Sequence, residues 1–211
     1  MKEPQCKKCI RINEKLFLKG EKCYSAKCPL ARKASSRTFK KRGSKHARKG
    51  LSEYGLQVRE KQKIKLIYGI EERQISNYVK EVKRKKGDDR SAKLYEFLEM
   101  RLDNVVFRLG FFDSRKKARQ VVSHNHIMIN NRPVNIPSYR VKIGVIISIR
   151  PQSLSKGIFK DLDIKIKKYN PPAWIKLEKD KKTGEIVGTP LLSADPGVGQ
   201  SLNSIIEFYS R

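Results

Sequence analysis

The chain has 211 residues, 38% of them hydrophobic, and carries 49 Lys and Arg against 21 Asp and Glu, a formal net charge of +28. Such a charge is self-repulsive unless a polyanion compensates it, which puts nucleic acid first and an anionic membrane surface a distant second. No apolar run approaches the ~18 residues that a membrane span needs, and no signal-peptide core follows the charged start Met1-Lys2-Glu3. The expectation is a soluble, intracellular, cytoplasmic protein with no membrane partner, long enough for one or two real cores.

Residues 1–50 hold 17 Lys or Arg against Glu3, Glu14 and Glu21, so half of the net charge lies in about a quarter of the chain. All four cysteines fall in the first 28 residues, as Cys6-x2-Cys9-x13-Cys23-x4-Cys28. Two close pairs joined by a short connection suit a tetrahedral Zn²⁺ held by thiolates on two knuckles, with no open position for catalysis. Lys7, Lys8, Lys22 and Lys27 would offset the site's negative charge. Reduced cysteines without a metal, a pair of disulfides and an iron–sulfur role are the alternatives. Residues 1–34 are therefore expected to form a zinc-binding segment. From Lys22 to Ser52 there is no acid at all, and residues 35–50 have almost nothing to bury. They read as a basic arm that orders on a phosphate backbone, or else as a solvated loop.

Residues 51–99 have helical periodicity. Ser52 suits an N-cap, Ile64, Ile67 and Tyr68 share a face, and Gly69 closes the run. Glu71 and Glu72 fit the first turn of a second helix with the stripe Ile75, Tyr78, Val79 and Val82, ended by Lys83-Arg84-Lys85-Lys86 and Gly87. Ser91 is expected to cap a third, with Leu94, Phe97 and Leu98 inward.

Residues 100–150 change period. Leu102, Val105, Val106 and Leu109 make a short helix that stops at Gly110. A second starts at Asp113 or Ser114 with Ala118, Val121 and Val122 inward, so its opposite face should present Arg115, Lys116, Arg119 and Gln120. Ile127-Met128-Ile129 then leads into Asn130-Asn131, a pair that tolerates positive φ in a tight turn. Short strands follow near Val134, Tyr139 to Val141 and Ile146 to Ile149. Residues 151–211 show a hairpin at Lys181 to Gly184 and breaks at Pro171-Pro172 and Pro196-Gly197. They are expected to be an extension that packs on the helical domain. The predicted fold class is α+β: a helical domain plus a small αα-β module edged with Arg and Lys, with an N-terminal zinc knuckle and an extended basic arm.

Catalytic groups do not converge anywhere. The chain lacks a P-loop, a Gly-x-Gly-x-x-Gly and a Gly-x-Ser-x-Gly. His124-Asn125-His126 has two histidines on one strand face but no third ligand, so a turn or phosphate contact fits better.

The residues Arg101-Leu102-Asp103-Asn104-Val105-Val106-Phe107-Arg108-Leu109-Gly110-Phe111, with Ser114-Arg115, Ala118-Arg119-Gln120, His124 and Pro137-Ser138-Tyr139, closely resemble the S-four family of bacterial small-subunit ribosomal proteins. So do Ser52-Glu53-Tyr54-Gly55, the run from Leu56 to Ile70, and Ile206-Glu207-Phe208-Tyr209-Ser210-Arg211. The four cysteines look like the zinc-bearing branch of that family. Arg101-Leu102-Asp103 also resembles the catalytic triplet of pseudouridine synthases, but there it lies beyond the module in a large catalytic domain. Three stretches depart from the family pattern: Asn130-Asn131 lacks the usual Gly after Asn, Lys40 to Ser44 replaces a Pro-Gly-Gln-His-Gly segment, and Ile143-Gly144-Val145 replaces a Pro-Gly-Asp-like turn.

The resemblance implies a structural protein, not an enzyme, that binds 16S rRNA at a junction in its 5′ domain and nucleates small-subunit assembly. It also implies a place where messenger RNA enters, a contribution to decoding accuracy, and contact with S-five and other neighbouring proteins. The expected RNA-binding residues are Arg115, Lys116, Arg119 and Arg140 on the module and Arg59, Lys61 and Lys63 on the helical zone. Arg37, Lys40, Lys41, Arg42, Lys45, Arg48 and Lys49 complete the set in the arm. The rival readings are an RNA-modifying enzyme and a zinc-ribbon nucleic-acid-binding regulator.

Overall fold

The structure is a computed structural model that describes residues 4–36, 52–85 and 89–210. Most of the basic arm, with Arg37, Lys40, Lys41, Arg42, Lys45, Arg48 and Lys49, lies outside the described residues, as does the expected stop at Gly87.

Three short helices come first: α1 (Gln5–Ile12), α2 (Glu21–Tyr24) and α3 (Pro29–Ser36). Cys9, Ile12 and Leu16 are buried there against Leu66 and Ile67. Those last two belong to α4 (Glu53–Tyr68), which begins where the Ser52 hydroxyl accepts the Gly55 N–H and ends where Gly69 turns left-handed at φ 64°. Both signals are as the sequence predicts. Helix α5 (Glu72–Arg84) buries Ile75, Val79 and Val82. Helix α6 (Arg90–Glu99) is capped by Asp89, whose carboxylate accepts the Ala92 N–H at 2.8 Å, and not by Ser91. Ser91 is instead buried and hydrogen-bonded to Asn203.

The partner of Ser91 lies on α10 (Pro196–Phe208), which packs along both α4 and α6. The Pro196-Gly197 pair read as a break is a helix start, because proline at the first helical position loses no hydrogen bond. Leu202 and Ile205 of α10 complete the core formed by Ile64, Tyr68, Ile75, Val79, Leu94 and Leu98.

Helices α7 (Leu102–Arg108) and α8 (Arg115–Ser123) pack on one face of a five-stranded antiparallel sheet ordered β2-β1-β3-β5-β4. Strands β1 (Ile127–Ile129) and β2 (Arg132–Pro133) form a tight hairpin in which Asn130 and Asn131 take φ 47° and 64°. Asn131 thus adopts the conformation that Gly would supply. Strand β3 (Ile146–Ile149) pairs with β1 on one side and with β5 (Thr183–Ile186) on the other. Strand β4 (Ile175–Glu178) closes the sheet as the hairpin partner of β5. Residues 151–211 are therefore split. Strands β4 and β5, with helix α9 (Leu162–Lys168), enlarge the core of the module, and α10 with the turn at Leu192 before it joins the helical half. Gly184 passes so close to Leu109 that a Cβ there would collide with its side chain, so β5 seals the module core at that point. No described helix is long and apolar enough to cross a membrane.

Candidate nucleic-acid interface

A buried polar seam joins the helical half to the module. Glu99 at the end of α6 is fully buried. It accepts hydrogen bonds from Tyr68 Oη at 2.7 Å, Asn104 Nδ2 at 2.9 Å, and Arg108 Nε and Nη2 at 2.8 and 2.9 Å. Burial pushes this carboxyl up, but Arg108, Arg115 and Tyr68 outweigh it and hold it below the usual range. Two residues on, the buried Arg101 makes a two-pronged pair with Asp103 at 3.0 and 2.8 Å and donates to Tyr78 Oη at 2.7 Å. Asp103, the acid of the triplet that resembles a catalytic one, is buried in this salt bridge. Its two oxygens are spent on Arg101 and on the Asn104 N–H.

Helix α8 docks on this seam through its arginines. Arg115 Nε donates to Asn104 Oδ1 at 2.7 Å, and its guanidinium lies 4.5 Å from the Phe107 ring centre and 4.9 Å from that of Tyr68. Arg119 donates to the Gly69 carbonyl at 2.6 Å and stands 3.8 Å from Asp103. The face expected to point outward thus leans onto the α4–α5 turn. The 3.6-residue repeat places these side chains opposite the sheet, but a second apolar and acidic surface waits there. Lys116 alone of the three is exposed, with no ion-pair partner among the described residues.

What this docking creates is a cleft of about 260 Å³, walled by Lys8, Phe17, Lys65, Arg115, Lys116 and Arg119. Five cationic side chains from three parts of the chain meet around it; Lys65 is paired with Glu72 at 2.6 Å, and the remaining excess of positive charge on a concave wall focuses the field on an incoming phosphate. Neither Lys8 nor Lys65 was expected in this role. Lys8 sits between two cysteines and reads locally as a neighbour of the thiolates, and no local pattern places Lys65 opposite α8.

The remaining predicted contacts are more committed than the sequence suggests. Lys61 is buried, pairs with Glu72 at 2.8 Å and lies 4.0 Å from the Phe208 ring centre. Lys63 pairs with Glu14 at 2.8 Å, and Arg59 donates to the Ile12 carbonyl at 2.6 Å. Arg140 grips Glu81 with bonds of 2.8 and 2.9 Å and stacks 3.9 Å over Phe97. All four hold elements together. His126 is buried with Nδ1 2.9 Å from Ser153 Oγ, and its ring centre is 6.1 Å from that of exposed His124.

The four cysteines line one small cavity with Leu18 and Leu30. Cys9, Cys23 and Cys28 are buried, Cys6 is half-buried, and none forms a disulfide. The Lys19 N–H points at Cys23 Sγ from 3.3 Å. Burial and the neighbouring thiols raise the Cys9 pKa, whereas the Ala31 N–H lowers that of Cys28. The donor set suits zinc, but among the described residues no group of three or more ligands is drawn into a coordination geometry.

Comparison with known proteins covers nearly the whole chain. Residues 1–99 match the family described as Ribosomal protein S4/S9 N-terminal domain, and residues 100–147 match the S4 domain. The chain is 44% identical to Small ribosomal subunit protein uS4 of Syntrophomonas wolfei over 98% of its own length and 96% of that protein's. It is 44% identical to the uS4 of Thermoanaerobacter sp. (strain X514) and 40% identical to that of Thermotoga petrophila, each over 99% of this chain and 97% of the other. The chain belongs to the S4 family of small-subunit ribosomal proteins.

Proposed function

We propose that this chain is a structural protein of the small ribosomal subunit, located there in the cytoplasm, which binds 16S rRNA at a helix junction of the 5′ domain and seeds assembly. The observation that carries the site is the cationic cleft of Lys8, Lys65, Arg115, Lys116 and Arg119 between α1, the α4–α5 turn and α8. Its shape is set by internal hydrogen bonds before any ligand arrives, so little ordering entropy is lost when phosphates enter. An RNA junction brings several backbones together, and recognition there is by shape and phosphate. Lys116, with its ammonium free, neutralises a phosphate directly, while Arg115 and Arg119 position the helix that carries it. Asp103, already held by Arg101, has no free oxygen for chemistry on a base, which favours a structural over a modifying role.

In the same reading Cys6, Cys9, Cys23 and Cys28 hold one structural Zn²⁺, which would tie α1 to α3. The arm from Arg37 to Lys49 lies along RNA, with Lys45, Arg48 and Lys49 where messenger RNA enters, and the folded surface meets S-five and other neighbouring proteins.

Filter binding of the full chain to a 5′-domain transcript, against an unrelated duplex of equal length, tests the assignment. The transcript is expected to win by orders of magnitude at physiological salt, and equal affinity for both overturns the reading.

A further inference from the structure

The chain exposes two aromatic rings together, Phe17 between the two cysteine pairs and Tyr24 within the second pair. Phe17 is 44% and Tyr24 75% exposed, and their ring centres stand 4.9 Å apart with planes tilted by 31°. Phe17 sits at φ 51°, a left-handed conformation that bulky residues rarely adopt. The turn that holds it there is well braced. The Cys23 N–H donates to the Gly20 carbonyl at 2.8 Å. Gly20, at φ 59°, lies flush against Asp113, where a Cβ would come within 2.6 Å of the Asp113 Cβ and carbonyl oxygen. Asp113 is in turn held by Lys165 at 2.6 Å. The rings are thus fixed on the surface by a turn wedged against the foot of α8, at the cost of a strained residue and of apolar area left in water.

Their surroundings carry more cationic than acidic groups, with Glu21 and Asp113 as the carboxylates beside Tyr24. Phe17 forms part of the wall of the cleft described above. Tyr24 walls a second hollow of about 380 Å³ with Phe112, Tyr169, Glu21, the Lys165–Asp113 pair and Lys168, and Phe107 lines both hollows. Lys15, Lys19 and Lys22 are exposed on the same turn. Flat apolar faces ringed by ammonium groups match a nucleotide, whose base offers a π-face and whose phosphates offer charge.

We propose that Phe17 and Tyr24 form a stacking platform for an unpaired base of RNA, whose backbone passes between the two hollows with Lys116 on one side and Lys168 on the other. The assignment rests on the proposed rRNA binding and adds to it a subsite for a splayed-out nucleotide. Stacking is indifferent to base identity and displaces no counterions, so it has a signature different from that of a lysine.

The test uses the full chain and the 16S 5′-domain transcript as probe, over a range of salt. Tyr24→Leu keeps apolar bulk but loses the ring, and should weaken binding by roughly 10- to 100-fold with an unchanged slope of log K against log salt. Tyr24→Phe keeps the ring and should bind like the unaltered chain. Tyr24→Trp in a Trp174→Phe background gives a single indole at the platform, whose emission should be quenched when the transcript saturates the protein. Tyr24→Leu binding as tightly as the unaltered chain, a shallower salt slope in that variant, or an unquenched indole at saturation each overturns the platform while leaving rRNA binding intact. Failure of the unaltered chain to prefer the transcript overturns both.

Discussion

Arg108 and Glu99 meet through two parallel hydrogen bonds of 2.8 and 2.9 Å, and this pair is the electrostatic pin between the helical half and the module. The same guanidinium reaches Asp195 at 2.9 Å, just ahead of α10. One side chain thus ties α6, α7 and the α10 start together.

Removing the pin should be costly. Arg108→Ala strands a fully buried carboxylate, and losing one partner of such a pair typically destabilises by about 3–5 kcal/mol. Urea unfolding at neutral pH measures it, and a loss below about 1 kcal/mol would show that water reaches Glu99.

Acid should loosen the corner where α4, α5 and α10 meet. Burial acts to raise the Glu72 carboxyl, but hydrogen bonds from Lys61, Lys65 and Tyr209 overcome it and bring the pKa to about 2. A depressed carboxylate contributes its stability above the unfolded value and loses it as pH falls through the folded one. The contribution is therefore complete above about pH 4.5 and gone near about pH 2. Glu72 is 47% exposed, so solvent screening leaves it on the order of 1 kcal/mol. Glu72→Gln should flatten the fall of the urea midpoint across that window, and an unchanged profile would assign the acid limb to other carboxylates.

Lys116→Ala and Arg115→Ala should separate contact from positioning. Lys116 is exposed, so its loss should leave the melting temperature unchanged and remove about 0.7–0.9 from the salt slope of transcript binding. Arg115 is bonded to Asn104 and stacked between two rings, so its loss should lower the melting temperature as well as the affinity. Calorimetry and titrations on both variants decide it, and identical behaviour would refute the division.

If the cysteines hold zinc, elemental analysis should find one metal per chain. Chelation should then abolish hydrogen-exchange protection over Gln5–Ile12 while α5 and α6 stay protected, because the only buried side chains among residues 5–32 are Ile12, Leu16 and the cysteines Cys9, Cys23 and Cys28. Full protection after chelation would make the cysteines ordinary core residues.

Local chemistry was legible where its partners are local. Ser52, Gly69, Ser114, the Asn130-Asn131 turn and the hairpin at Lys181 to Gly184 all act within a few residues of themselves. What the pattern hid depends on distant partners. Ser91 leaves its capping role because Asn203 draws its hydroxyl away, and Arg119 turns inward because Gly69, 50 positions earlier, offers a carbonyl. Lys61, Lys63 and Arg140 look like solvated charges until their acids on neighbouring elements are in place. A count of basic residues identifies the polyanion partner but cannot separate a cation that holds the fold from one that meets RNA. The cleft itself was invisible, because its walls are contributed by residues from Lys8 to Arg119.

The placement of α10 sets the order in which this chain folds as it is made. Ile64 and Tyr68 of α4 pack against Leu202 and Ile205, about 140 residues later, and β3 gains its second neighbour only when residues 183–186 arrive. Such long loops are slow to close. Through most of synthesis α4 to α6 have an uncovered apolar groove, and β3 has an open edge prone to pair with another chain. A cationic chain in that state has a strong reason to meet RNA early, because the charge that defines its destination also keeps nascent copies apart until residues 196–208 seat themselves.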